Sequence, residues 1–143
     1  MSEIRFFHNA PDKLAAACRI TAMAWRRGRK VTVFAPEPGV AQRFDSMLWT
    51  FQPLAFVPHV AADSPLAAET PVLVARRLDA PMQDDVLVNL SHDVPAGFEH
   101  FAQVIEIVTQ DADDRVAARG RWGAYKQAGH PIETNDLSRR ETA

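Results

Sequence analysis

Residues 1–50 switch hydrophobic period three times, and this alternation restricts the fold more than any other feature of the chain. Ile4-Arg5-Phe6-Phe7-His8 is short and β-prone and runs into the turn-like Asn9-Ala10-Pro11-Asp12, which predicts a first strand. From Asp12 the apolar positions Leu14, Cys18, Thr21, Ala22 and Trp25 recur at helical spacing, predicting a helix over about Lys13–Arg27 with Gly28 at its end. Val31-Thr32-Val33-Phe34-Ala35 is the continuous apolar run of a buried parallel strand, and Pro36 and Pro38 stop it. Val40, Phe44, Met47 and Leu48 then follow i, i+4, i+7, i+8, with Gln42, Arg43, Asp45 and Ser46 opposite. Strand, helix, strand, helix predicts a right-handed crossover and a parallel sheet.

The remainder continues this pattern. Val72-Leu73-Val74-Ala75, Val86-Leu87-Val88-Asn89 and Val104-Ile105-Glu106-Ile107-Val108 read as strands, with a short apolar turn around Phe98 and Phe101 before the last. The acidic cluster Asp111-Ala112-Asp113-Asp114 suits a helix N-terminus, and the helix should run to about Ala128, where Gly129 and Pro131 end it. Residues 1–131 therefore form one α/β domain, and residues 132–143 a polar, flexible tail. With 143 residues, 47% of them hydrophobic, the chain can bury one core. No apolar run approaches the roughly 20 residues of a membrane helix, and the N-terminus lacks a signal-peptide core, so a cytoplasmic protein without membrane contact is expected. The lone Cys18, on the apolar face of the first helix, excludes an internal disulfide and a cysteine zinc cluster and reads as core.

The formal net charge of −2 conceals a basic, acidic, basic sequence. Residues 1–43 hold eight Arg/Lys and three acids, residues 44–114 two and twelve, and residues 115–143 six and three, giving +5, −10 and +3. Arginine supplies 13 of the 16 cations, favouring forked contacts with carboxylate or phosphate.

Motifs for catalysis are missing. Neither Asn9–Asp12 nor Ala35-Pro36-Glu37-Pro38-Gly39 resembles a glycine-rich dinucleotide loop or a Lys-Ser/Thr phosphate loop, so no cofactor is expected. His8, His59, His92, His100 and His130 are scattered without metal-binding spacing. His92-Asp93 and Glu99-His100 offer an acid and a base but read as solvated loop side chains. Asp84-Asp85 reads as a solvated loop and Asp113-Asp114 as helix capping in preference to magnesium ligands, and Ser64 and Ser91 lack a nucleophile elbow.

Three features remain. On the last helix Arg115, Arg119, Trp122 and Lys126 fall at i, i+4, i+7 and i+11, one stripe of three cations around an indole. It reads either as a solvated basic face with Trp122 over the core edge, or as a binding site for an acidic, partly aromatic ligand. The neighbouring Ala117, Gly120, Gly123 and Ala124 are small enough to let the helix lie close to the sheet. The irregular stretch Leu48–His59, with Trp49 and Phe56, fits aromatics capping the core or a protein-binding patch. Arg26-Arg27-Gly28-Arg29-Lys30 most simply complements the dipole of the first helix.

Ala24-Trp25-Arg26-Arg27-Gly28-Arg29-Lys30-Val31, then Leu48-Trp49 and Phe56-Val57-Pro58-His59, then Arg119-Gly120-Arg121-Trp122-Gly123-Ala124-Tyr125-Lys126-Gln127-Ala128-Gly129 stand in the order seen in the chi subunit family of bacterial DNA polymerase III holoenzyme, which the chain resembles over nearly its whole length. The resemblance implies a Rossmann-like three-layer α/β/α fold with a mostly parallel sheet, no nucleotide site and no enzymatic activity. It implies a replication adaptor that binds the acidic, Pro-Phe-ending C-terminal tail of single-stranded DNA-binding protein and links it to the clamp-loader complex, meeting DNA only indirectly. It also implies a psi subunit partner where one exists and, in some bacteria, a repair-type helicase. The family's tail-binding residues match Arg115, Arg119 and Trp122, with Lys126 beside them, and its partner-contacting aromatics match Trp49 and Phe56. Gly123 departs from the family, which often has Lys there. The alternatives are a small α/β enzyme using His92/Asp93 or His100, and direct nucleic-acid binding through Arg26–Lys30 and the last helix.

Overall fold

The computed structural model describes residues 2–50, 56–79 and 83–138. Its elements are β1 (Glu3–Ala10), α1 (Lys13–Arg26), β2 (Val31–Phe34), α2 (Pro38–Thr50), β3 (His59–Ala61), β4 (Val72–Ala75), β5 (Val86–Asn89), β6 (Gln103–Thr109), α3 (Ala112–Gln127) and β7 (Ile132–Asp136). Among the described residues the strands form one sheet of order β3-β4-β2-β5-β6-β1-β7, and every neighbouring pair is parallel.

Local chemistry explains where the helices begin and end. The Asp12 carboxylate accepts from the Ala15 amide at 3.0 Å and starts α1, and Asp111 does the same for α3 through the Asp113 amide at 3.1 Å. Gly28 (φ +79°) and Gly129 (φ +86°) turn the chain left-handed just past α1 and α3, a conformation that costs a side-chain-bearing residue about 1 kcal/mol or more. The ends of α1 and α3 thus stand within a residue of those read from sequence.

Alternation along the strands sorts side chains into two cores. Phe7, Val31, Val33, Val86, Val88, Ile105 and Ile107 pack with Cys18 and Ile20 of α1 and Phe44 and Leu48 of α2. Ile4, Phe6, Leu87, Val104 and Val108 face the other way, toward Ala118 and Tyr125 of α3. The molecule is therefore a three-layer α/β/α structure with α1 and α2 on one face of the sheet and α3 on the other. Burial pushes the Cys18 thiol up to about 12, consistent with its reading as core.

Three local expectations change. Residues 132–136, read as the start of a flexible tail, form β7, which pairs with β1 in the register Ile4↔Ile132, Phe6↔Thr134, His8↔Asp136. Few of their side chains are apolar, so the strand is set by backbone pairing and by Arg5–Glu133 and Asn9–Asp136 hydrogen bonds, which leave no periodicity to read. Gly120, Gly123 and Ala124 do not bring α3 close to the sheet. They are exposed, and Ala118, Arg121 and Tyr125 are the buried side. Asp85 is not simply solvated: it accepts from Arg29 Nε at 2.9 Å and the Lys30 amide at 3.2 Å, tying the end of α1 to the start of β5, and Arg29 holds its carboxyl below the usual range.

Candidate functional site

Helix α3 is built around one buried polar cluster. Glu106 is the middle α3-facing residue of β6 and is fully buried, with Arg121 3% exposed above it. Glu106 Oε1 accepts from Arg121 Nε at 2.9 Å, while Oε2 accepts from Tyr125 OH at 2.7 Å and Asn89 Nδ2 at 2.8 Å. Arg121 Nη1 donates to the His92 carbonyl at 2.9 Å, and Asn89 Oδ1 receives the Ser91 amide and hydroxyl at 2.9 and 2.6 Å. Burial pushes the Glu106 carboxyl above the ordinary glutamate range against the pull of Arg121, Tyr125 and Asn89, and burial beside Glu106 raises the Tyr125 hydroxyl. These bonds tie α3 to β6 and to His92 after β5, so the cluster holds the helix at one rotation and height over the sheet. Arg121, Glu106 and Asn89 escaped the search for chemistry. The one available signal was a glutamate in the centre of the most β-branched run in the chain, a charge that needs a buried partner.

That anchorage fixes the stripe. Arg115, Arg119 and Lys126 are exposed, and none is in a salt bridge among the described residues. Trp122 is half-buried, its ring 5.1 Å from that of Phe6 on β1. Phe6, Tyr125, Phe98 and His130 continue the aromatic packing at centroid distances of 5.0–6.0 Å. The arrangement offers three cations outside any salt bridge among the described residues along an indole edge, suited to a carboxylate-bearing ligand with an aromatic group. A Cβ built on Gly123 meets nothing within 4 Å, so the absent lysine of the resemblance leaves open space beside the stripe.

Trp49 and Phe56 form a second surface. They are 45% and 62% exposed, and their rings lie 5.1 Å apart. Beneath them the buried His59 ring is 4.3 Å from Trp49, its Nδ1 2.7 Å from the Val57 carbonyl and its Nε2 3.2 Å from Asp45 Oδ1. Phe51 to Ala55, the middle of this aromatic stretch, lie outside the described residues.

The remaining candidates do not converge. His92 and Asp93 touch at 3.2 Å with side chains 81% and 92% exposed, on an open crevice of about 390 Å³ after β2 and β5. His100 precedes β6 and so lies at the opposite end of the sheet, edge-on to Phe101. Asp114 pairs with Lys13 at 2.6 Å and accepts from the Thr109 amide at 2.8 Å, and although burial opposes its charge, these contacts hold its carboxyl below the usual range. Among the described residues, no group of three or more His, Cys, Asp or Glu is placed to hold a metal ion, and no helix is long and apolar enough to cross a membrane.

Fold and surfaces together define a three-layer, parallel-sheet α/β protein that presents a basic helix face and a separate aromatic patch. Residues 1–133 match the family described as DNA polymerase III chi subunit, HolC. The chain belongs to this family, which is that of a replication accessory subunit of the polymerase III holoenzyme. It is 32% identical over 127 residues to the DNA polymerase III subunit chi of Pseudomonas aeruginosa, covering 89% of this chain and 88% of that one. The subunits chi of Haemophilus influenzae and Escherichia coli are each 29% identical, over 85% and 82% of this chain and 85% and 80% of theirs.

Proposed function

We propose that this chain is a non-enzymatic replication adaptor that binds the acidic C-terminal tail of single-stranded DNA-binding protein on α3 and links it to the clamp-loader complex. The observation that carries this reading is the stripe of Arg115, Arg119 and Lys126, exposed and outside any salt bridge among the described residues, flanking the half-buried Trp122. A tail ending in Pro-Phe brings a ring whose burial is worth about 1.5–3 kcal/mol and a terminal carboxylate whose charged hydrogen bonds to arginine add about 1.5–3 kcal/mol. Ordering an extended peptide consumes part of this, so binding is modest and weakens with salt. The exposed Trp49–Phe56 pair serves a second protein contact: the psi subunit where one exists, or a repair-type helicase.

Titration calorimetry with a synthetic acidic peptide ending in Pro-Phe tests the tail site. Arg119→Ala should weaken binding about tenfold or more while leaving the unfolding transition in place, and removing the terminal Phe from the peptide should abolish most of the heat. Unchanged affinity in a folded Arg119→Ala protein would sink the assignment.

A further inference from the structure

The contacts of α3 distinguish its two flanks. Arg121 reaches Glu106 on β6 and the carbonyl of His92 after β5, so that flank overhangs the β5 side of the sheet. Trp122, about 100° further round the helix, rests on Phe6 of β1, so the opposite flank overhangs β1 and the strand beyond it, β7. Arg115, Arg119 and Lys126 fall within about 60° of Trp122 on that same flank. Beside that flank, next to β1, lies one surface of β7. Paired residues of parallel strands point to the same side of the sheet, and Ile4 and Phe6 point toward α3, so their partners Ile132 and Thr134 do too. Ile132 indeed packs against the α3-side core, whereas Glu133 hydrogen-bonds Arg5 on the other face. Thr134 is exposed and stands one strand spacing, about 4.8 Å, from the residue under Trp122.

We infer that the tail site is a trough with the basic flank of α3 as its wall and the α3-facing side of β7 as its floor, where Ile132 and Thr134 lie beneath an extended acidic peptide. This rests on the tail-binding reading above and adds to it the strand that takes the other side of the ligand. The charge layout favours that occupant. Arg115, Arg119 and Lys126 stand outside any salt bridge among the described residues, and the acid on this side of β7, Asp136, is engaged by Asn9 Nδ2 at 3.0 Å and Ser138 Oγ at 2.6 Å. Ser138 and Asn9 hold its carboxyl down at about 2.

The test places a charge of either sign on the floor, at an exposed position where folding is unaffected. With the full chain and the same Pro-Phe peptide, Thr134→Glu should weaken binding about fivefold or more, and Thr134→Lys should tighten it. Glu133→Gln, on the reverse face of the strand, should leave affinity unchanged, and the two Thr134 variants should keep the wild-type unfolding midpoint. If both Thr134 variants bind as wild type while Arg119→Ala is weakened, α3 reads the peptide without β7 and the trough is overturned. If wild type and Arg119→Ala bind alike, the tail-binding reading fails first and the trough with it.

Discussion

Glu106 carries the heaviest structural demand of any single residue in the described chain, because it is a carboxylate with no solvent in the interior of a sheet-helix interface. It is held there by Arg121, Tyr125 and Asn89, whose hydrogen bonds oppose the cost of its burial. Removing one partner of such a pair is far worse than never having had it, since the remaining charge stays buried and uncompensated. Arg121→Met should therefore cost about 3–5 kcal/mol in chemical denaturation at neutral pH. The sign of its pH dependence follows from the raised carboxyl: a group whose folded value lies above its ordinary 4.5 stabilises below that value and loses the contribution as pH rises through the folded one. Without Arg121 the folded value climbs further, so the variant should regain part of its loss as pH falls toward about 5. A loss under about 1 kcal/mol, or one that deepens on acidification, would mean the cluster is not what anchors α3.

At the level of elements, α3 is a helix of divided duties: one side buried, one flank basic, and an outer face interrupted by Gly120 and Gly123. Neither glycine is needed for close approach, since a Cβ at either position meets nothing within 4 Å, so each costs helix stability without return from packing. Gly123→Lys should add about 0.5–1 kcal/mol of stability and a fourth cation beside Arg119, seen as a higher unfolding midpoint together with tighter peptide binding. A stabilised variant with unchanged affinity would place the peptide elsewhere on the helix. Most elements were legible from period and punctuation: α1 between Asp12 and Gly28, α3 between Asp111 and Gly129, and β4 and β5 to the residue. β3 and β7 were not. Each is short and lies at a sheet edge, where half the environment is solvent and the hydrophobic pattern that marks a strand is not required.

For the whole molecule, the sheet order separates the two candidate surfaces. The Trp49–Phe56 pair belongs to α2 and the approach to β3, on the α1/α2 face at one edge, while the basic stripe lies on the opposite face toward β7 at the other edge. Sites on opposite faces and opposite edges of the sheet are expected to act additively. Trp49→Ala and Phe56→Ala should accordingly impair recovery of a second holoenzyme protein in a pull-down and leave the heat of tail-peptide binding unchanged. Retention of every partner by both variants would reduce these aromatics to a lid over His59.

What the linear chain determined by itself was local. Period and caps decided helix or strand, the missing phosphate loops argued against a nucleotide, and helical spacing put Arg115, Arg119, Trp122 and Lys126 on one stripe, because each depends on residues within a few turns of one another. Tertiary structure decided what that stripe faces. Glu106 meets Arg121 across 15 positions, and Phe6 takes Thr134 as a neighbour across 128, so which flank of α3 looks toward β7 is a property of strand order and register alone. The charge partition of the sequence separated a basic end from an acidic middle. Only the fold turned the basic end into a helix flank whose cations stand outside any salt bridge among the described residues, held over the edge of the sheet by a buried carboxylate.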